Sequence, residues 1–405
     1  MEPSQFASRE RGVVRRCPAG DYWAFFPAPL PTSAKYSTQT SLLLDDATGA
    51  LFRLGGVGRL LPNPTLLIGP HVRLEAVLSS RIEGTESELS DLLRFEAGEP
   101  DRGDDRHNSD VREVHNYIVA LDHGLARLRE GFPLSLRLIR EVHERLMQGV
   151  RGEMKTPGEF RRSQNWIGGI SPGDATFVPP PLDEMNAALQ DWEQFLHRRS
   201  APLLLQLAMA HYQFEVIHPF LDGNGRVGRL LVPLLLIERG ALPQPLLYLS
   251  VYFERKRQEY YDLLLWTSQR GDFDPWFQFF LRGVAVQARD AEERTVRLVE
   301  MQAQLRNELL AARVSNTVVR LAEMLFDRPY ITSASVQRDV KVTQPTAQSA
   351  IDTLVDRQLL REVTGRQRGR MYFSPGIFEA VYDRLDEHQE ESPTEAGQED
   401  TAPAE

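Results

Sequence analysis

Hydrophobic residues recur every three or four positions through most of the chain, which is the period of an amphipathic helix. The clearest examples are SDVREVHNYIVALDHGLARL, PLSLRLIREVHERLM, LDEMNAALQDWEQFLH, PLLLQLAMAHYQFEVI and RKRQEYYDLLLWTSQR. The first opens at Ser109-Asp110, and residues of these types favour the N-cap of a helix. Because these segments follow one another with short connections, we expect a mainly α-helical protein with a helical bundle as its main body.

Two β-prone runs interrupt this helical pattern in the middle of the chain. They are Trp166–Ile170 and Thr176–Val178, and the turn-forming residues SPGD lie between them. Two such runs on either side of a strong turn signal predict a β-hairpin inserted between helices.

A second change of pattern begins near residue 316. Three helical segments, SNTVVRLAEMLFDRPY, SASVQRDV and TQPTAQSAIDTLVDRQLL, precede REVTGRQRGRMYFS, which predicts a strand, a basic turn and a second strand. Three helices and a hairpin predict a winged helix-turn-helix domain, with QPTAQSAIDTLVD as its recognition helix. We therefore divide the chain into an N-terminal region (1–100), a helical core (101–290), a linking helix (291–315), a winged helix-turn-helix (316–384) and a tail (385–405).

The composition is that of an ordinary globular protein, with 41% hydrophobic and 26% charged residues. The single cysteine, Cys17, excludes an internal disulfide framework and a thiolate metal cage, and it is typical of a reducing compartment. The N-terminus lacks the apolar core of a secretory signal, and no apolar run approaches the roughly 20 residues that a membrane span needs. We expect a cytoplasmic protein that does not enter a membrane.

The formal net charge of −10 is concentrated at the C-terminus. The segment Asp386–Glu405 holds eight acidic residues and no Lys or Arg, so the remainder of the chain carries only about −2. A chain with this balance is not expected to coat nucleic acid non-specifically. The tail has almost no apolar residues and is predicted to be disordered, with solubility as its role.

The densest group of chemically useful residues is HPFLDGNGRVGR, from His218 to Arg229. Its Gly223-Asn224-Gly225 loop leads directly into an apolar helix pattern, and a glycine-rich loop at a helix N-terminus presents backbone N–H groups to an anion. Arg226 and Arg229 are three positions apart and share one helix face. Two guanidinium groups beside such a loop are suited to a polyphosphate.

Two further residues of this segment complete a reaction centre. Asp222 lies beside the predicted phosphate site, and a carboxylate there is the expected ligand of Mg²⁺. His218 precedes it by four positions, and a neutral imidazole can accept the proton of a hydroxyl group. This combination suits the attack of a hydroxyl on a phosphorus atom of a nucleotide.

The segment closely resembles the signature of the Fic family, His-x-Phe-x-Asp/Glu-Gly-Asn-Gly-Arg-x-x-Arg, and every specified position matches. Most Fic proteins transfer AMP from ATP to a protein Ser, Thr or Tyr hydroxyl and release pyrophosphate. The resemblance implies that ATP is the substrate, that His218 is the base and that Asp222 holds Mg²⁺. It assigns the triphosphate to a set of loop and helix residues, which are Gly223, Asn224, Gly225, Arg226 and Arg229, with Phe220 as a buried anchor of the loop.

Two other stretches extend the resemblance. PGEFRRSQNWIGGISPGDATFVPPP looks like the Fic flap, a hairpin that pins a target segment above ATP by strand pairing. The flap residues are then Trp166, Ile167, Gly168, Thr176, Phe177 and Val178. VYFERKRQEYYDLLL resembles the helix behind the nucleotide, where Tyr260 and Tyr261 would line the adenine pocket, although ordinary core packing explains these tyrosines equally well.

An upstream motif predicts a switch. Ser79 to Gly84 matches the inhibitory motif of Fic proteins, (Ser/Thr)-x-x-x-Glu-(Gly/Asn), at the point where a helical pattern stops. The resemblance implies that Glu83 pairs with Arg229 in the place of the γ-phosphate of ATP. Because the motif precedes the Fic core, the chain resembles the self-inhibited class with an N-terminal inhibitory helix.

Several alternatives stay open at this stage. The predicted winged domain carries five arginines that would suit a DNA backbone or a docking surface, namely Arg357, Arg361, Arg366, Arg368 and Arg370. The domain would select partners or DNA for the enzyme, or, as the alternative to an enzyme, the chain is a DNA-binding transcriptional regulator whose Fic core senses ATP. A Fic-type enzyme can also transfer UMP, phosphocholine or phosphate, or remove AMP. The target protein is not visible in the sequence, and no residue demonstrates the homodimer that is common in the family.

Overall fold

The computed structural model describes residues 1–17, 20–61, 64–99, 105–150 and 155–382, and helices dominate this part of the chain. The helices before the HPFLDGNGRVGR segment are α1 (Thr38–Leu60), α2 (Pro64–Ile82), α3 (Leu89–Glu96), α4 (Asp105–Arg129), α5 (Leu136–Leu146), α6 (Leu182–His197) and α7 (Leu203–Ile217). Those that follow are α8 (Asn224–Glu238), α9 (Ser250–Arg255), α10 (Arg257–Arg270), α11 (Asp274–Ala311), α12 (Asn316–Met324), α13 (Ser333–Val340), α14 (Gln344–Asp356) and α15 (Pro375–Tyr382). The predicted mainly α-helical class is confirmed, and the predicted tail lies outside the described residues.

Helix α7 is the centre of the molecule. Nearly all of its residues are buried, because its sequence is apolar on every face rather than on one stripe. Trp192 of α6 and Trp276 of α11 pack against it, and their indole N–H groups donate to the carbonyls of Ala210 (2.8 Å) and Ala208 (2.9 Å). Helices α6, α8, α10 and α11 surround α7, so the two ends of this helix are rigidly placed.

A two-stranded hairpin precedes the helices and was not predicted. Strands β1 (Gly12–Cys17) and β2 (Tyr22–Pro27) pair antiparallel, with Val14 opposite Phe25. The backbone N–H of Phe25 donates to the carbonyl of Val178 at 2.9 Å. The hairpin therefore supports the segment that carries the predicted flap.

Helix boundaries differ from the prediction at two places. Helix α4 begins at Asp105, four residues before the predicted cap at Ser109. Helix α11 runs without interruption from Asp274 to Ala311 and crosses the proposed division at residue 290. Its apolar face continues through that point, so the predicted linking helix is the second half of a core helix.

The C-terminal segment adds a small three-stranded sheet to its helices. Strand β3 (Tyr330–Thr332) follows α12, and β4 (Arg361–Glu362) and β5 (Met371–Phe373) follow α14. Strand β5 lies in the middle and pairs antiparallel with both neighbours. The order helix, strand, helix, helix, strand, strand is the order of elements in a winged helix, although β3 and α15 were not predicted. None of the described helices combines the length and apolarity needed to cross a bilayer.

Candidate active site

The loop between α7 and α8 reverses the chain at the centre of the core. Helix α7 ends because His218 adopts a left-handed conformation (φ 49°) and Pro219 follows it. Gly223 is the N-cap of α8 with φ 77°, a region that favours glycine. A Cβ at Gly223 would lie 2.9 Å from Sδ of Met147. The turn is thus tight, and it places the end of one buried helix next to the start of another.

The side chain of Asn224 braces this loop. Its Oδ1 accepts from the backbone N–H of Phe220 at 2.8 Å, and its Nδ2 donates to the carbonyl of Phe220 at 2.9 Å. Phe220 is fully buried and stacks on the ring of His143 at 3.7 Å, as expected of an anchor. Asn224 was predicted to bind the nucleotide, but its amide is used within the loop, so only its backbone remains for an anion.

Two residues that were not predicted hold the loop from the other side. Nε of Arg161 and Nδ2 of Asn165 both donate to the carbonyl of His218 at 3.1 Å. Asn165 also donates to the carbonyl of Phe220 at 2.9 Å. No periodic signal distinguishes these residues from the neighbouring polar positions of the flap region, which is why sequence reasoning passed over them.

In the ring of His218, one nitrogen makes a hydrogen bond within the protein and the other can accept a proton. Its Nδ1 lies 3.2 Å from the carbonyl of Glu215 and donates to it, which leaves Nε2 as the acceptor. Burial lowers the pKa of His218 to about 4. The imidazole is therefore neutral at neutral pH, as a general base must be.

A cavity of about 520 Å³ opens above this loop. Its walls are formed by the predicted flap, by α8 and by α10, and the predicted site residues that line it are Ile167, Gly168, Trp166, Thr176, Phe177, His218, Gly225, Arg229, Glu83, Tyr260 and Tyr261. The volume lies within the range that small-molecule sites commonly have. Most of the predicted site residues therefore line one cavity.

The two tyrosines contribute differently to the cavity wall. Tyr260 is 1% exposed, and its hydroxyl is hydrogen-bonded to Nε2 of His211 at 2.8 Å. Tyr261 is 38% exposed. Tyr260 is therefore mainly a packing residue, and Tyr261 is the ring that a bound molecule would meet.

The predicted flap reverses direction where expected, but its strands are shorter than predicted. Ile167 and Phe177 form an isolated antiparallel bridge, with Ile167 N–H donating to Phe177 O at 2.8 Å. Gly168 and Gly169 then adopt positive φ (70° and 71°), which ends the pairing. The carboxylate of Asp174 closes the tip by accepting from the backbone of Ile170 at 3.0 Å. The predicted runs Trp166–Ile170 and Thr176–Val178 are wrong as full strands, because glycines cannot sustain the extended ladder there.

The two arginines of the motif point to different partners. Arg226 is buried away from the cavity, with Nη1 3.3 Å from Oε2 of Glu113 and Nη2 3.4 Å from Oδ1 of Asp222. Arg229 lies at the cavity and contacts Glu83. The expectation that both guanidinium groups clamp one polyphosphate from a shared face does not match these contacts.

Asp222 sits at the edge of the loop with one third of its side chain exposed. Its Oδ1 accepts from the backbone of Gly223 at 2.7 Å, and its Oδ2 lies 3.0 Å from Nζ of Lys155. Although burial opposes ionisation, Arg226 and Lys155 hold the pKa of Asp222 below its ordinary value. Among the described residues no cluster of three or more His, Cys, Asp or Glu forms a protein-only metal cage. A single ionised carboxylate is nevertheless the donor that Mg²⁺ needs when phosphate and water supply the rest.

The predicted pair between Glu83 and Arg229 is formed. Oε1 of Glu83 lies 2.7 Å from Nη2 of Arg229, and Nε of the same guanidinium donates to Oγ of Ser79 at 2.8 Å. Arg229 also donates to the carbonyl of Ser79 at 2.8 Å, and Gly84 ends the segment with φ 93°. A Cβ at Gly225 would lie 2.2 Å from Oε1 of Glu83, so the carboxylate covers the N-terminus of α8. Burial alone would raise the pKa of Glu83, but Arg229 lowers this pKa below its ordinary value, so the carboxylate is ionised.

Comparison with known proteins relates the two central parts of the chain to one family. The description "Fic/DOC family N-terminal" matches residues 42–126, and "Fic/DOC family" matches residues 133–236. Protein adenylyltransferase Fic of Aedes aegypti is 32% identical over 194 residues, which are 46% of this chain and 34% of that protein. The protein of the same name from Drosophila virilis is 33% identical over 174 residues, or 41% of this chain and 33% of that protein. The chain therefore spans about a third of the length of these curated relatives.

The fold has a counterpart among solved structures. A Fic family protein from Desulfovibrio desulfuricans G20 superposes with a TM-score of 0.54 at 20% identity. The match covers 86% of this chain and 98% of that one, so it extends beyond the two matched domains.

Proposed function

Since the chain carries both the N-terminal and the central Fic/DOC domain, it belongs to that family, and we propose that it transfers AMP from ATP to a protein hydroxyl. The acceptor would be the side chain of a Ser, Thr or Tyr, and pyrophosphate would leave. One observation carries the proposal: a neutral His218, whose Nε2 is hydrogen-bonded to none of the described residues, lines the same cavity as Gly225 at the N-terminus of α8.

In the proposed reaction, Nε2 of His218 accepts the proton of the acceptor hydroxyl, and the oxygen attacks the α-phosphorus of ATP. The new P–O bond forms as the bond to pyrophosphate breaks. The backbone N–H groups and the positive end of α8 stabilise the negative charge on the phosphate. Asp222 would hold Mg²⁺, which neutralises phosphate charge when bound.

The flap is the proposed docking site for the target protein. Trp166 and Ile167 are 39% and 37% exposed, and Ile170 at the tip is 91% exposed. The flap pairs with itself only through the short bridge between Ile167 and Phe177, and both residues line the cavity. A target segment that adds to this edge by main-chain hydrogen bonds would present its hydroxyl to His218.

The pair between Glu83 and Arg229 supports self-inhibition. A carboxylate over the start of α8 competes with phosphate for both the helix N-terminus and the guanidinium group. ATP that binds beside it would be misplaced for in-line attack. We therefore propose that the structure represents the inhibited state of the enzyme.

The test is transfer of label from ATP to the protein itself and to cell lysate. Glu83→Gly is expected to raise self-modification at least tenfold, and adding His218→Ala to that variant is expected to abolish it. Glu86→Gly is the matched control, because Glu86 lies three positions on and its side chain is 79% exposed. Equal labelling by the wild type and Glu83→Gly would refute the inhibition, and labelling by the His218→Ala variant would refute the proposed base. Mass spectrometry of the labelled lysate would identify the group transferred and the target.

A second role rests on the C-terminal segment. A cavity of about 710 Å³ is lined by Gln344 and Gln348 of α14 and by the arginines of the predicted wing, namely Arg366, Arg368 and Arg370. Exposed arginines beside a helix with amide side chains suit a DNA duplex, so we propose that this segment binds DNA and selects where the enzyme acts. A salt-dependent gel shift that is lost in the triple Arg→Ala variant would support it, and a shift that is unchanged would refute it.

The cellular setting completes the proposal. Cys17 is buried and lies outside any disulfide, and we expect the chain to act in a reducing cytosol. Two expectations come from the resemblance alone: a homodimer, which is common in the family, and the removal of AMP from modified targets. Sedimentation of the purified chain would measure its oligomeric state, and release of AMP from a labelled target would measure the second activity.

A further inference from the structure

One carboxyl group in the cavity has no role in the reaction described above. Glu215 lies on α7 one turn before His218 and lines the same cavity. Its Oε1 is buried and receives no hydrogen bond from any described residue. A buried polar atom without a partner is costly, so its presence in a cavity points to a partner that enters with a ligand.

The polar side chains near Glu215 already have hydrogen-bond partners other than Glu215. Nδ1 of His211 is hydrogen-bonded to the carbonyl of Gly228 at 3.0 Å, and Nε2 of the same ring is hydrogen-bonded to Tyr260. Arg229 donates to Ser79 and Glu83. The carboxyl group of Glu215 also packs closely against Gly228, because a Cβ at Gly228 would lie 2.2 Å from Oε1 of Glu215.

The position of Glu215 indicates which part of a nucleotide it meets. Glu215 lines the cavity together with Gly225 and Arg229 at the proposed phosphate end and with Tyr260 and Tyr261 at the aromatic end. If the phosphates lie at Gly225 and the base lies at Tyr261, the ribose lies between them. The hydroxyl groups of a ribose are neutral donors, and a carboxyl oxygen is their usual acceptor in nucleotide sites.

The charge state of Glu215 is compatible with a nearby triphosphate. Burial raises the pKa of Glu215 to about 8, although Arg229 on α8 lowers it and Glu83 at the end of α2 adds to the rise. His218 and His211 on α7 are neutral, and Tyr260 and Tyr261 on α10 are uncharged because their pKa values are raised. The carboxyl group is therefore protonated at neutral pH, and its carbonyl oxygen accepts without repelling phosphate.

We propose that Glu215 accepts a hydrogen bond from a ribose hydroxyl of the bound nucleotide and makes the cavity selective for ribonucleotides over deoxyribonucleotides. This inference rests on the proposed use of ATP. It deepens that function by assigning the sugar of the nucleotide to a residue outside the HPFLDGNGRVGR segment.

The test compares ligands that differ by one hydroxyl. Calorimetry would measure the Kd of ATP, 2′-deoxy-ATP and 3′-deoxy-ATP in a Glu83→Gly, His218→Ala background, in which ATP binds but is not consumed. Loss of the contacted hydroxyl is expected to weaken binding about 3- to 10-fold. Glu215→Gln keeps an acceptor of the same size and should keep this discrimination, whereas Glu215→Leu should reduce it below about twofold.

The outcomes separate this inference from the proposed function. Equal Kd values for ATP and both deoxy analogues in the background protein would overturn the inference, and so would discrimination that persists in Glu215→Leu. Equal affinities in the background protein decide the matter even where the leucine variant does not fold. Failure of the proposed function would look different, because the background protein would then not bind ATP at all.

Discussion

At the scale of single residues, the site is defined by which polar atoms already have hydrogen-bond partners within the protein and which do not. The backbone carbonyl of His218 accepts hydrogen bonds from Arg161 and Asn165. The Nδ1 atom of the His218 ring donates to the carbonyl of Glu215. Only Nε2 is left to act. A histidine at the end of a helix is an ordinary residue, and it becomes a base here because burial and these contacts fix both its tautomer and its charge.

The pH dependence of the reaction follows from this burial. The neutral imidazole is the active form, and burial lowers the pKa of His218 to about 4. In Glu83→Gly, kcat/KM for ATP should therefore stay constant as the pH falls from 7 to about 5 and should decline only as the pH approaches 4. An exposed histidine would cause the decline near pH 6.5.

Initial rates across this pH range measure the effect, and circular dichroism at each pH controls for unfolding. A half-maximal rate near pH 6.5 would contradict the burial of His218 in the active enzyme.

At the scale of elements, the site is the meeting point of two helix ends. Ser79 in the last turn of α2, and Glu83 directly after that helix, meet Gly225 and Arg229 in the first two turns of α8. Between α7 and α8, the side chain of Asn224 replaces the backbone hydrogen bonds that the turn at Phe220 cannot make.

Asn224→Ala tests whether this side chain braces the loop or binds the nucleotide. Removal of the amide leaves the N–H and the carbonyl of Phe220 with one partner fewer in a buried turn, which should cost about 1 to 3 kcal/mol of unfolding free energy. Asn224→Asp keeps the acceptor for the N–H but turns a second acceptor oxygen towards the carbonyl of Phe220 in a buried site, so it should not restore the lost stability. Urea denaturation measures both variants.

A different result would favour the original prediction from the motif. If Asn224→Ala kept the wild-type unfolding free energy but bound ATP more weakly, the amide would contact the nucleotide and would not brace the loop.

The elements also show how far the sequence could be interpreted. The Glu83–Arg229 pair was predictable because both motifs are short and specific in residue type. The contact of Lys155 with Asp222 and the support from Arg161 were not, since a lysine or arginine in a polar segment carries no periodic signal. The hairpin β1–β2 was missed although PAGD, between its strands, is a turn signal. Its first strand, GVVRRC, has two adjacent valines followed by two arginines and lacks the alternation that marks a strand.

At the scale of the whole molecule, α2 joins the C-terminal segment to the active site. In the middle of α2, Nη1 of Arg73 lies 2.6 Å from Oδ1 of Asp327, which follows α12, and Nε of Arg73 lies 2.6 Å from Oε2 of Glu96. Ten residues later, directly after the helix ends at Ile82, the chain presents Glu83, about 15 Å away along the axis. The sequence pattern predicted separate domains but could not predict this connection, because Arg73 and Asp327 are 254 positions apart.

Asp327→Ala tests whether this connection holds the inhibitory helix in place. The side chains of Arg73 and Asp327 are 9% and 11% exposed, and Asp327→Ala leaves Nη1 of Arg73 without this partner while Glu96 still neutralises the charge, so the cost should be about 1 to 3 kcal/mol. Arg338→Ala is the control, because that side chain is 64% exposed and its pairing should contribute less than about 1 kcal/mol. Since α2 would lose its ion pair to the C-terminal segment, Asp327→Ala should also raise self-modification of the otherwise wild-type chain several-fold, measured with labelled ATP beside urea denaturation. Lower stability with unchanged labelling would mean that contacts near Glu83 alone hold the helix, and that the C-terminal segment does not influence the active site.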